Sequence, residues 1–439
     1  MRERNAGIRS AGKSGAARIS AARGHLCRRP GDFGDRDRGL AEDITRSQTA
    51  ETHVPDTAAL NWLVGFVCLG IAAGYSVVTL IAALAWHWRA RRTGSKPLRP
   101  VSVLKPLCGP EPGLYENLRS FCAQDFHQYQ IVFGVLDRDD PALEVVERLM
   151  AEFPSLPIDV VINPQQHGSN CKISNLINML ARAKYDVLVM ADSDASVNPD
   201  YLRIVTEPLL ERSVGLVTCL YRAVPTRSLF SRLGAMYINE WYMPSVLLAW
   251  LFGYKNYVSG QTLCMRRDTV QAIGGLEAIA DHLADDHELG ERVNSLGLRI
   301  VLSSYVPSAE CHEPSFESLT RHEVRWMRTL HVLRPRCFPF LFFSFSVPLA
   351  LLGIVLATGS PTLDPLAWAL FGLTVVIRVA IFLAHRIRPA RPKLQDLWLI
   401  PVRDLLLLWV WCSSMLTSRI TWRGNRFDVD ARGVMHRLS

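Results

Sequence analysis

Apolar and polar positions divide the chain into stretches of different texture. Residues 1–59 are rich in Arg, Gly, Ala and Ser, carry mixed charge and follow neither a helical nor a strand period. They bury too little apolar surface to offset the entropy of ordering, so disorder is expected there. From Asn61 to Trp86 no charged side chain occurs, and that run exceeds the ~20 apolar residues a helix needs to cross a bilayer. Segment 60–88 is therefore expected to span a membrane, being too long for the apolar part of a signal peptide.

Between 100 and 336 the pattern changes to short apolar runs alternating with helical periodicity. Strands are predicted at 101–105, 130–136, 158–162, 186–190, 214–220 and 299–302, with helices near 113–123, 141–152, 172–183, 198–211 and 281–296. This alternation predicts an α/β domain with a mainly parallel sheet covered on both faces. Ligands in such sheets bind beyond the carboxyl ends of the strands. The stretch 230–252 is apolar on most of its surface but interrupted by Glu240 and Pro244, and reads as a helix lying in the membrane interface.

Three further apolar stretches, 338–358, 366–383 and 397–416, make 337–418 a region of about three membrane helices and leave 419–439 as a tail. Arg378, Arg403 and Asp404 fall inside them, and ionisable groups at such depth pair or face protein. Three later spans would carry the tail to the far side of the membrane from the α/β domain. An interfacial 397–416 would return it to the same side.

The net charge of +8 over 439 residues is concentrated beside apolar runs, in Arg89, Arg91, Arg92, Lys96 and Arg99 and in Arg386, Arg388, Arg391 and Lys393. That placement marks membrane flanks and excludes nucleic acid as a partner. It also predicts a multi-pass protein of the inner (plasma) membrane with its α/β domain in the cytosol. The ten cysteines are scattered without a C-x-x-C pair, so reduced thiols and no structural zinc are expected.

Candidate chemistry gathers at predicted strand ends. The run from Val187 to Asp194 sets Asp192 and Asp194 just past an apolar strand, where oxygen ligands suit Mg²⁺ or Mn²⁺. Such an ion would neutralise the diphosphate of a nucleotide-sugar and ease departure of UDP. Asp137, Asp139 and Asp140 follow another strand. Lys105 and Lys172 supply positive charge nearby, and Lys172 starts a helix, a natural anion site. Asp285 and Asp286 precede an apolar-periodic helix and offer a carboxylate that can take a hydroxyl proton. Arg325 and Trp326, with His322, Arg321 and Arg328 on the same short helix, can clamp phosphate and cover a sugar ring.

In this order and spacing, Asp137, Asp192 with Asp194, Asp286 and Arg325-Trp326 resemble the motifs of inverting glycosyltransferases of families 2 and 21, in particular the ceramide glucosyltransferase group. The stretches 101–108, 172–176 and 258–262 extend the resemblance from about Val101 to Arg336. It implies a GT-A catalytic domain at 100–336, with Asp137, Lys172, Asp192, Arg325 and Trp326 on the nucleotide-sugar, Asp192 and Asp194 on the metal, and Asp286 as base. The partners implied are a UDP-sugar and a membrane lipid acceptor. His322 stands where the group carries Gln or Arg, which resembles a hopanoid-associated branch, with UDP-N-acetylglucosamine as donor and a hopanoid polyol as acceptor. Ceramide with UDP-glucose is the alternative. A processive polysaccharide synthase would need more spans for a channel, and a non-catalytic nucleotide-sugar binder would need no base at Asp286.

Overall fold

A computed structural model describes residues 57–87, 98–384, 394–416, 419–422, 425–430 and 433–437. The expected disorder of 1–56 and the basic flanks at Arg89, Arg91, Arg92, Lys96, Arg386, Arg388, Arg391 and Lys393 lie outside the described residues.

Strands β1 (Val101–Pro106), β2 (Tyr129–Val135), β3 (Ile158–Ile162), β4 (Val187–Met190), β5 (Ala195–Ser196), β6 (Val214–Cys219), β7 (Arg222–Pro225), β8 (Leu263–Arg266), β9 (Arg299–Ser303) and β10 (Ser308–Cys311) form two sheets. The larger has the order β3-β2-β1-β4-β8-β6-β9 and the smaller β5-β10-β7. In the larger sheet only β8 runs against its neighbours β4 and β6, and the other pairings are parallel. The mainly parallel sheet expected from the sequence is present, with strand ends moved by a residue at several places.

Successive side chains of a strand face opposite sides, and the sheet uses both. Val101, Val103, Ile131, Phe133 and Val189 face one core with Leu118 and Phe121 of α2 (Leu114–Cys122) and Val146 and Leu149 of α3 (Ala142–Glu152). Leu104, Val132, Leu188 and Met190 face the other, with Ile173, Leu176 and Met179 of α4 (Cys171–Leu180) and Leu289 and Val293 of the helix Asp285–Ser295. The predicted helix 198–211 is α5 (Tyr201–Thr206) followed by a 3₁₀ turn.

Helix α1 (Thr57–His87) begins inside the stretch expected to be disordered and is long and apolar enough to cross a membrane. The predicted interfacial helix 230–252 is broken into α6 (Leu229–Met236), a π segment Tyr237–Tyr242, and α7 (Met243–Leu251). Glu240 is buried within it and ion-paired with Arg378 at 2.7 Å, so this acid does not sit among headgroups. After β8 come α8 (Arg267–Ala272), α9 (Asp285–Ser295) and α10 (Phe316–Leu333).

The C-terminal membrane region departs from the expected three helices. Only α12 (Asp364–Ala384) is long and apolar enough by itself, while Phe338–Ser344 and α11 (Ser346–Ala357) are bent 77° from each other. The described residues thus hold two candidate spans, or three if the bent pair is one. Helix α13 (Leu399–Ser414) has 16 residues, about 24 Å of helix against a hydrocarbon core of about 30 Å. Its two charges face protein. Arg403, 2 % exposed, forks onto Glu323 at 2.6 and 2.8 Å, and Asp404 accepts from Arg378 at 3.0 Å. Small residues bring α1 and α11 together: a Cβ on Gly65 would sit 2.6 Å from the Ala357 nitrogen.

The expected tail is a third sheet of antiparallel strands, β11 (Arg419–Trp422), β12 (Asn425–Val429) and β13 (Met435–Arg437).

Candidate active site

Parallel strands deliver the acidic residues to one edge of the sheet. Asp137 follows β2, Asp192 and Asp194 follow β4, and Asp286 lies in the first turn of α9. Lys172 lies in the first turn of α4, whose backbone N–H groups at Lys172 and Ile173 donate to the Asn170 side chain. Arg325 and Trp326 come from α10. All seven line one cavity of about 840 Å³, the size of a pocket for a substantial small molecule. His322, Asp285 and Gln261 line it too.

Lys172 is the electrostatic hub. Its Nζ lies 2.7 Å from Asp192 Oδ1 and 3.7 Å from Asp285 Oδ2. Burial by itself would depress the ammonium's pKa, but Asp192 and Asp285 outweigh it and hold the group charged. Lys105, wholly buried in β1, donates to the Asp192 carbonyl, and burial brings its pKa down to about 8 against the pull of Asp194 and Asp192. Asp194 Oδ1 accepts from Gln261 Nε2 at 3.0 Å. Burial, then the neighbouring Asp192, pushes the Asp194 carboxyl up to about 7.

Asp286 accepts from the Gly260 N–H at 3.2 Å and from the His287 N–H at 2.8 Å. Burial, reinforced by Asp285, pushes its pKa up to about 7, within the range useful to a general base. Trp326 stacks on Tyr237, with centroids 5.6 Å apart, and meets the tilted His322 ring at 4.2 Å. His322 Nδ1 is 2.8 Å from Glu313 Oε1, and Glu313 is a buried acid that the sequence reading passed over. Burial and a nearby field of acids lower the Arg325 pKa and raise it respectively, with burial the larger effect.

The acidic cluster after β2 separates on inspection. Asp137 and Asp140 line the cavity and Asp139 does not. Both Asp140 oxygens accept from the Gly109 N–H, at 3.0 and 2.9 Å, and Oδ1 also accepts from Ala142 N at the start of α3. Asp140 is thereby committed to holding the loop, and Asp137 Oδ1 accepts from the Asp139 N–H at 3.0 Å. Arg321 pairs with Glu317 on the exposed side of α10, and neither Arg321 nor Arg328 lines the cavity.

The model of glycosyl transferase family 21 matches residues 66–435. The chain belongs to glycosyl transferase family 21. This membership makes it a glycosyltransferase. Among curated relatives, ceramide glucosyltransferase 3 of Caenorhabditis elegans is 24% identical over 406 residues, covering 88% of this chain and 84% of that protein. Ceramide glucosyltransferase 1 of the same organism is 22% identical, covering 86% and 84%. Among solved structures, the mannosyltransferase PcManGT from Pyrobaculum calidifontis in complex with GDP-Man and Mn²⁺ shares 18% identity with a TM-score of 0.43, covering 80% of this chain and 98% of that one. TarS 1–349 from S. aureus in complex with UDP-GlcNAc gives 15% and 0.37, covering 77% and 99%. At such scores the likeness carries no mechanistic weight.

The cavity lining also includes Tyr242, Val246, Tyr254, Leu330 and Leu333. Helix α7, which supplies Val246, packs on the long apolar α1: Met243 and Leu247 touch the Ala82 cluster, and Tyr75 and Ser245 share a hydrogen bond of 2.9 Å.

Proposed function

We propose that this glycosyltransferase moves a sugar from a UDP-sugar to the hydroxyl of a membrane lipid, with inversion, in a GT-A domain on the cytosolic face of the inner (plasma) membrane. The observation that carries the reading is one cavity lined both by Asp192, Asp194, Lys172, Asp286, Arg325 and Trp326 and by Val246, Leu330 and Leu333, with Val246 on the helix that packs against a membrane-length one. A water-soluble donor and an apolar acceptor need such a cavity.

The names of the two relatives that cover most of the chain favour ceramide as acceptor and glucose as sugar, ahead of a hopanoid polyol with N-acetylglucosamine. The hopanoid reading rests on His322 alone. That side chain is committed to Glu313 and Trp326, partners that do not discriminate between lipids.

In the mechanism, Lys172 and Arg325 hold the diphosphate, Trp326 covers the sugar, and Asp137 meets the nucleoside. Asp286 takes the proton of the lipid hydroxyl as its oxygen attacks the anomeric carbon from the face opposite the leaving diphosphate. The proton goes to the Asp286 carboxylate and the bond electrons leave with UDP, so the sugar inverts in one displacement. Gly260 N–H and His287 N–H hold the carboxylate in place.

A divalent cation fits the residues present. Four carboxylates, Asp192, Asp194, Asp285 and Asp286, share the cavity with Lys172 and Arg325 and lie near Lys105, and burial, then the neighbouring Asp192, raises the pKa of Asp194. Asp192 and Asp194 are oxygen donors of the kind Mg²⁺ or Mn²⁺ takes. When bound, the ion would offset charge on the departing diphosphate.

The test is UDP release by detergent-solubilised protein, with ceramide and a hopanoid polyol offered in parallel. Release that depends on ceramide supports the reading. Release with the polyol alone reverses the acceptor, and release with neither sinks lipid glycosylation.

A further inference from the structure

We infer that the C-terminal strand β13, with Gly433 and Val434 just before it, is a positioning element of the active site, holding the loop that aims Asp286. The inference rests on the reading of Asp286 as base.

Three segments distant in sequence are knitted together here. Leu283 N donates to Gly433 O at 2.9 Å, and Met435 N donates to Asp281 O at 2.8 Å, so that His282 and Val434 form an antiparallel bridge. From the other side, Ser169 N donates to Asp281 Oδ1 at 2.7 Å and Asn170 Nδ2 to His282 O at 3.2 Å. Ser169 Oγ closes the triangle by donating to Met435 O at 3.2 Å. Asn170 is the residue that caps α4 and so places Lys172.

Beneath these bonds Leu283, Phe427, Val429 and Met435 form an apolar cluster against Val332 of α10. One C-terminal strap therefore touches the entry to α9, Ser169 next to the cap of α4, and the helix of Arg325 and Trp326.

Helix α9 needs such a support. Its N-cap position is Ala284, which has no side-chain oxygen and makes no capping bond, so the direction in which Asp285 and Asp286 enter is set by residues 281–283. Gly433, just before β13, has a φ of 79° that disfavours other residues. Asp430 secures it by accepting from Val434 N at 3.0 Å. The same pairing puts the strap on the catalytic domain's side of the membrane. An even number of crossings must then separate α10 from β12, which the bent pair and α12 can supply while α13 stays on one side.

The experiment uses the full chain in native membranes. His282 and Val434 are a non-hydrogen-bonded antiparallel pair, whose Cα atoms lie about 4.5 Å apart, within disulfide range. A His282→Cys/Val434→Cys variant should form that disulfide on mild oxidation, identified by peptide mapping, and keep its turnover. Met435→Pro removes the N–H donated to Asp281. It should lower kcat about tenfold or more while UDP-sugar KM stays within about threefold, and the disulfide should restore kcat in the combined variant.

If Met435→Pro also loses UDP binding, Phe427→Ala replaces it, loosening the cluster without breaking a backbone bond, and the same outcomes apply. No disulfide, unchanged kcat, or a reporter fused to the C-terminus that lies across the membrane from the catalytic domain would overturn the inference. Asp286→Asn separates it from the function it rests on. Turnover lost there but kept in the strap variants defeats the strap alone, and turnover kept in Asp286→Asn but lost in the strap variants defeats the base.

Discussion

Replacing Gly260 with alanine probes the hub of the site without touching a charge. A Cβ at that position would lie 2.6 Å from Lys172 Nζ and 3.2 Å from Asp192 Oδ2. Both are ends of side chains, and Gly260 does not occupy the positive-φ region, so the backbone can stay while the ammonium is forced away from Asp192. A hydrogen bond to a charged group is worth about 1.5–3 kcal/mol. The Lys172 and Asp192 side chains are 18% and 29% exposed, so screening puts the loss near the lower end. A loss of about 1.5–2 kcal/mol corresponds to a fall on the order of 10- to 30-fold in kcat/KM for the UDP-sugar. Steady-state kinetics at varied donor concentration measure it, and the thermal midpoint in detergent checks the fold. Normal kinetics in a folded Gly260→Ala protein would show that the Lys172–Asp192 contact does not serve the donor.

Asp286 acts as base only when ionised, and its pKa is raised to about 7. Thus kcat/KM should rise with pH through about 7 and level off above, with a limb that belongs to the coupled acids rather than to Asp286 alone; a rate flat from pH 5.5 to 8 contradicts this. Chelation should stop turnover, and Asp192→Ala should weaken UDP binding by calorimetry only when Mg²⁺ or Mn²⁺ is present; equal affinity with and without metal removes the ion from the site. Glu323→Ala strands the buried Arg403 guanidinium and should destabilise the protein in detergent by about 3–5 kcal/mol, while Glu323→Leu with Arg403→Met recovers most of it. An equal loss in both variants argues against a stranded charge.

What the sequence disclosed and what it hid have physical reasons. Strands β2, β4 and β6 were legible because buried parallel strands are continuous apolar runs, and the edge strands β3 and β9 because each is a short β-branched run. β8 was not, since it is four residues long and ends in Arg266, a buried side chain whose guanidinium donates to the Leu209 and Arg212 carbonyls. Nothing local to Arg266 announces those acceptors. The apolar run 397–416 suggested a span because hydropathy averages over Arg403 and Asp404, whose partners Glu323 and Arg378 come from other helices.

The candidate site residues were legible as strand-end and helix-start acids, a helix-start lysine and an Arg-Trp pair, and the structure gathers all seven in one cavity. Gln261, Glu313 and the strap at 433–435 were hidden, because each matters through a contact made across the fold. The alternation of Phe427 and Val429 with polar residues was a readable strand signal in the supposed tail.

The most direct measurement compares Asp286→Asn with Asp285→Asn in lipid glycosylation and in UDP-sugar binding. The account predicts that Asp286→Asn binds the donor within a few fold of the unaltered protein and loses at least about a hundredfold in turnover, the size of a general-base contribution, while Asp285→Asn retains most of its activity. An exchange of these behaviours would make Asp285 the base, and near-normal turnover in both variants would contradict the mechanism at its central step.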